Sequence, residues 1–173
     1  MKKFGLMIFV LSISLLIAQG SYASNIATVD LNRVMQDSNA GKSAKASIER
    51  LVEAKKVVIN RKIKEISKLS DMLKSGKLSA KERDRQRDLY QEKVKALQRY
   101  KTDAADEVRA KEREMSNNII SSVVDIIKKY AKAHKIDAVM EIHNGGLIYW
   151  NDANDITKKI VSIYNKEYAK SGK

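Results

Sequence analysis

Between Lys42 and Lys111 the chain is one long polar stretch of helical period, interrupted once, at Ser75-Gly76-Lys77-Leu78-Ser79. Ahead of the break a heptad-spaced seam runs Ile48, Val52, Lys55, Ile59, Lys62, Ile66, Leu69, Leu73, flanked by Leu51, Val58 and Ile63. Beyond it a second seam runs Tyr90, Val94, Leu97, Lys101, Ala104, Val108, Lys111, Met115. A reversal at Gly76 gives each narrow stripe the other as cover, which predicts an antiparallel helical hairpin with Ile59 near Val94 and Ile63 near Tyr90. At 1.5 Å per residue the outgoing arm of about 33 residues reaches roughly 50 Å, too far for a rounded domain of this chain length.

The break carries its own chemistry. Gly76 suits the left-handed position that ends a helix, and Ser79 with Glu82 forms the S-x-x-E capping box that starts the next. Both seams hold lysine where a tight coiled coil holds Leu or Ile: Lys55 and Lys62 going out, Lys101 and Lys111 returning. Lysine stems can snorkel, but each such layer gives up apolar area, so the arms are expected to bend and splay.

Charge gathers on the same stretch. Residues 42–111 hold 21 Lys+Arg against 11 Asp+Glu, a net +10 out of the chain's +13. Around the tip Lys74, Lys77, Lys81, Arg83, Arg85 and Arg87 outnumber Glu82 and Asp84. Single charges of this kind keep helices soluble. The collective excess points to an anionic partner drawn to the arm and tip.

The amino terminus identifies where that partner is met. Lys2 and Lys3, an apolar run from Phe4 to Ala18, and Ser21-Tyr22-Ala23 ahead of Ser24 make a secretory leader, with cleavage expected after Ala23. The run is shorter than the ~20 residues of a spanning helix. No cysteine adjoins the cleavage site, which excludes a lipoprotein anchor, and the chain has no cysteine or proline anywhere. Outside the cytoplasm nucleic acid is mostly missing as the partner of a basic chain, and two Phe and one Trp provide no stacking ladder for single strands. Lipid head groups, lipopolysaccharide and acidic unfolded chains remain.

Residues 24–41 together with 112–173 read as an association body. Ile26-Ala27-Thr28-Val29-Asp30 is a short β-prone run, and a weak point follows at Asp37-Ser38-Asn39-Ala40-Gly41. Ile119, Ile120, Val123, Val124, Ile126 and Ile127 predict that the return helix is buried nearly all round from Ser116. Ala138–Ile142 reads as a second strand, and the Asn144-Gly145 turn leads to a third at Leu147–Trp150, making a hairpin. Asp155 caps a last helix with Ile156, Ile160, Ile163 and Tyr164 on one face. So small a sheet leaves edges open, so subunits are expected to complete one another's sheet.

Catalytic and cofactor motifs are missing. His134 and His143 have no Cys, Asp or second His at metal-ligand spacing and read as surface residues. There is no G-x-S-x-G, H-E-x-x-H, Walker loop or G-x-G-x-x-G, and Gly145-Gly146 reads as a turn. An enzyme, and any cofactor or metal, is not expected.

The two ends of the mature chain carry a resemblance. Ile26-Ala27-Thr28-Val29-Asp30 after a leader, and Leu147-Ile148-Tyr149-Trp150 running into Asp155-Ile156-Thr157-Lys158-Lys159-Ile160-Val161, resemble the Skp/OmpH family of periplasmic chaperones. The order of strand, long hairpin, buried helix, two strands and terminal helix is similar throughout the mature chain. The resemblance implies a mostly α fold with a small β body: a homotrimer whose strands form a β-barrel base, with three helical hairpins enclosing a cavity. It implies that unfolded outer-membrane proteins are held there without ATP. It also implies lipopolysaccharide binding through basic arm residues, here Lys93, Lys95, Arg99 and Lys101 with the tip cations nearby. Two other readings stand beside it, an envelope adaptor using the arm as a spacer, and a lipopolysaccharide or membrane-surface binder without clients.

Overall fold

The computed structural model describes residues 24–171; the leader expected at residues 1–23 lies outside the described residues. Four helices and two short strands follow the order β1 (Ile26–Val29), α1 (Leu31–Asp37), α2 (Asn39–Lys74), α3 (Ala80–Ala133), β2 (Ala138–Glu141), α4 (Thr157–Lys170), with a 3-10 turn at Asp152–Asn154. Helices α2 and α3 are the predicted hairpin. Ser75 ends α2, Gly76 takes φ 69°, and Ser79 starts α3 with both halves of the capping box formed. The Ser79 amide donates to Glu82 Oε2 at 2.9 Å, and the Glu82 amide donates back to Ser79 Oγ at 3.4 Å.

Helix α2 begins earlier than Lys42. Ser38, fully buried, caps it by accepting from the Gly41 amide at 3.1 Å. Gly41 is obligatory: a Cβ there would lie inside the Met35 carbonyl, 2.7 Å from its carbon. The weak point at residues 37–41 is therefore a tight corner between two helices, made by a cap and a missing side chain.

The core sits at the root of the hairpin. Val29, Val34, Ala40, Ala44, Ile119, Val123, Ile126, Ile160 and Tyr164 pack together there. From Lys45 to Asp103 no side chain is fully buried, so the arms are held by half-buried contacts and the base by a true core. Within the base, α3 is less enclosed than its composition suggests. Ile119, Val123 and Ile126 are buried on one stripe, while Ile120 stays 37% exposed.

The β body departs from expectation. β1 pairs with β2 in parallel, Ile26 opposite Ala138 through Val29 opposite Glu141, and an isolated bridge joins Thr28 to Asp155 on the other side of β1. Among the described residues the sheet is two-stranded and open, and the expected β-barrel base is absent. Leu147–Trp150 forms no strand, and Ile148 and Tyr149 stand exposed. The reason lies in the turn. A two-residue Asn-Gly hairpin needs positive φ at both central residues, but here positive φ falls at Gly146. The Gly145 amide donates to the Glu141 carbonyl at 2.8 Å, and the Glu141 carboxylate accepts from the amides of His143 and Asn144. Glu141 thus curls the chain into a helical turn and sends residues 147–150 away from β2. The whole hairpin becomes the crossover that a parallel pair requires.

Candidate functional site

The arms meet through a seam that mixes apolar and charged layers. Ile48, Val52, Lys55, Ile59, Lys62, Ile66, Leu69 and Leu73 are all half-buried, as their spacing predicts. The two seam lysines of α2 are matched by partners across the gap: Lys55 Nζ lies 2.5 Å from Glu107 Oε2, and Lys62 Nζ sits 5.4 Å from the centre of the Tyr100 ring. A third cross-arm contact joins Lys93 Nζ to Glu65 Oε2 at 3.1 Å. The bond to Glu107 raises the Lys55 pKa, and the bond to Lys93 holds Glu65 below the usual carboxylate range.

These pairs set a different register from the one read by folding the chain symmetrically at Gly76. Lys62 meets Tyr100 and Glu65 meets Lys93, about one and a half to two and a half turns closer to the base on α3. Helical side chains lean toward their own N-terminus. In an antiparallel pair the two leans converge, so contact falls between residues whose Cα atoms are offset. On α3 the facing positions are Tyr90, Lys93, Leu97, Tyr100, Ala104 and Val108, while Val94 (39% exposed), Lys101 and Lys111 turn outward. The seven-residue spacing from Lys93 to Tyr100 was available in the sequence; a charged residue at a seam position concealed it.

The tip collects the expected cations. Lys74 ends α2, Lys77 lies in the turn, and Lys81, Arg83, Arg85 and Arg87 occupy the first two turns of α3, all exposed. Lys81 and Arg85 share one side of the helix and Arg83 and Arg87 the other, so positive charge surrounds it. Arg87 pairs with Asp84 at 3.0 Å; among the described residues Lys74, Lys77, Lys81, Arg83 and Arg85 make no ion pair. Cations at a helix N-terminus oppose the helix dipole. Local stability therefore does not account for them, and Glu82, whose pKa the Ser79 hydroxyl lowers, is the one acid in the first turn.

The second set of basic residues is divided. Lys93 lies in the seam, Lys95 and Arg99 stand one turn apart on an outward column, and Lys101 faces another side. Exposed apolar side chains, unrecognised in the sequence, are scattered between the charges: Val57, Ile63 and Met72 on α2, Leu89 and Val94 on α3. At the root a cavity of about 400 Å³ opens between Ala44, Met115, Ile119, Tyr164 and Tyr168. No described helix is long and apolar enough to cross a membrane.

The chain is 25% identical over 166 residues to an uncharacterized protein of Aquifex aeolicus (strain VF5), spanning 96% of this chain and 98% of that relative. Its fold matches the crystal structure of a candidate outer membrane chaperone (OmpH-like) from Caulobacter crescentus CB15 with a TM-score of 0.76, over 86% of this chain and 88% of that one, at 18% identity. The family model described as outer membrane protein (OmpH-like) matches residues 25–164. A paired-arm fold rooted in a small parallel sheet and a family match over most of its length carry one conclusion: the chain belongs to the outer membrane protein (OmpH-like) family.

Proposed function

We propose that this protein is an ATP-independent holdase that keeps unfolded outer-membrane proteins from aggregating on their way across the periplasm, with the basic arms of a homotrimer surrounding the client. The observation that carries the reading is an arm pair without a single fully buried side chain from Lys45 to Asp103, bearing a net +10 between residues 42 and 111. An unfolded barrel chain alternates apolar and polar residues. The exposed Val57, Ile63, Met72, Leu89 and Val94 give weak apolar contacts, and the tip cations Lys74, Lys77, Lys81, Arg83, Arg85 and Arg87 draw in acidic segments. Many weak contacts on a compliant surface retain a chain without imposing a structure, so release needs no nucleotide. Of the basic positions Lys93, Lys95, Arg99 and Lys101, the exposed Lys95, Arg99 and Lys101 are the part of the arm we assign to lipopolysaccharide or an anionic membrane surface, Lys93 being held by Glu65.

The test is the aggregation of an outer-membrane protein diluted from urea, followed by light scattering with the protein at stoichiometric amounts. Scattering should be suppressed at low salt and return as ionic strength rises, since exposed charges are screened beyond roughly 10 Å at 0.1 M. No suppression at any salt concentration would favour the spacer reading, and suppression indifferent to salt would remove charge from the mechanism. Solution mass decides the trimer.

A further inference from the structure

We propose that the end of the parallel sheet is a binding site for a divalent transition-metal ion, with Asp30, Glu141 and His143 as its ligands. Neither the family nor the chaperone reading calls for one. The register places Val29 opposite Glu141, so the two strands end level, and Asp30 and the turn holding His143 emerge side by side. One donor atom from each of the three residues lies within 4.8 Å of the others. His143 Nε2 is 3.4 Å from Asp30 Oδ2. Two ligands on a tetrahedral ion with bonds of 2.0–2.2 Å are themselves about 3.4 Å apart, so this pair already has the spacing of neighbouring ligands.

Burial adds a second, separate indication. Asp30 is only 6% exposed. Its Oδ1 accepts from the Arg33 amide at 2.9 Å as the cap of α1, but Oδ2 accepts no hydrogen bond from the described residues and faces His143 and Glu141. A carboxylate on so little-exposed a residue ordinarily has donors or a cation against it. The half-exposed imidazole stands 3.4 Å from Oδ2, longer than an ordinary hydrogen bond.

Supporting contacts for the ligands are already present. Glu141 accepts from the Leu31 amide at 3.4 Å on Oε1 and from the His143 amide at 2.8 Å on Oε2, and Asp30 is fixed by its capping bond. Orientation of ligating carboxylates by outer hydrogen bonds is characteristic of working metal sites. The long Oε1 contact leaves that oxygen the freer of the two to ligate, and a side-chain rotation would close the set. His143 is 51% exposed, so an ion can enter from solvent and keep a water as its fourth ligand. One imidazole nitrogen with two carboxylates suits Zn²⁺, Co²⁺ or Ni²⁺. Three protein ligands are too few for Ca²⁺, which takes six to eight oxygens, and Mg²⁺ holds its waters. A bound ion would tie Asp30 to the turn that leads out to Ile148 and Tyr149.

The experiment uses the full mature chain without an affinity tag, stripped by chelator and titrated with Zn²⁺ and Co²⁺. One ion per chain should bind, cobalt should show the visible absorption of a low-coordinate site, and the thermal midpoint should rise with zinc. His143→Ala and Asp30→Asn, which keeps a capping oxygen, should each weaken binding at least tenfold, whereas His134→Ala, at the chain's other histidine, should leave it unchanged. Zinc affinity no better than that of Mg²⁺, or equal affinity in wild type and His143→Ala, would overturn the assignment.

Discussion

Replacing Gly41 by alanine should destabilise the protein, against the usual sign for such a change in a helix. In an ordinary helix interior Gly→Ala stabilises by roughly 0.5–1 kcal/mol. Here the new Cβ would fall on the backbone carbonyl of Met35 and within 3.2 Å of Ser38 Oγ. Backbone cannot rotate aside as a side chain can, so the corner between α1 and α2 must open. Opening it breaks the bond from the Gly41 amide to Ser38, a cap of about 1 kcal/mol. It strands a fully buried hydroxyl at a cost of roughly 1–3 kcal/mol, and it disturbs the packing of Val34 and Ala40, for which overpacking costs about 1–3 kcal/mol. Setting the propensity gain against these gives a net loss of about 2–6 kcal/mol. Urea unfolding followed by circular dichroism, at one fixed chain concentration so that association does not enter, measures it. Gly76→Ala is the control: its φ is positive, nothing lies near, and the cost should be about 1–2 kcal/mol. If Gly41→Ala were neutral or stabilising, the tight corner would not be what fixes the arm to the base.

Neutralising Lys81, Arg83, Arg85 and Arg87 together to glutamine should cut low-salt capture of an acidic unfolded client severalfold while leaving the thermal midpoint unchanged or slightly higher, since these cations oppose the dipole of α3. Lys62→Leu should tighten the seam by roughly 1 kcal/mol, raising amide protection along the arms and lowering capture; unchanged protection would detach compliance from the seam lysines. Glu65 and Glu82 both have depressed pKa values, through Lys93 and Ser79. Their contribution is complete above the ordinary Glu value of about 4.3 and fades as pH falls through the lower folded-state values. Protection factors at the tip and mid-arm should therefore drop below about pH 4 before those of the base.

The hairpin was legible because its signals are local. The heptad spacing of α2, Gly76 and the Ser79–Glu82 box depend on neighbours within a turn or two, and each is where the sequence puts it, whereas on α3 Val94, Lys101 and Lys111 leave the seam that their spacing predicts. The sheet was not. Ala138–Glu141 is recognisable as a strand, but nothing nearby states that its partner is β1 rather than Leu147–Trp150, and the Asn144-Gly145 dipeptide suggested the wrong choice. What decided it was the Glu141 side chain capping its own turn, a contact that competes with the hairpin. The tip cations were visible as composition. Which cations are free and which are spent on the seam, as Lys93 is on Glu65, depends on the lean of side chains between antiparallel helices. The Asp30–Glu141–His143 group escaped notice because Asp30 reaches it from the far end of the chain, where spacing rules do not look.

The parallel strands also govern the order in which the molecule can assemble. Leu31 and Glu141, joined at the sheet end, are 110 residues apart. Closing a loop of that length in a disordered chain costs about 2 kcal/mol more than closing one of ten. Once α2 and α3 have zipped, their roots already lie together and most of that penalty has been met by local steps. The arm is thus a scaffold for its own foundation. Shortening both helices by matched heptads should change the reach of the arms and leave the docking of the first strand intact.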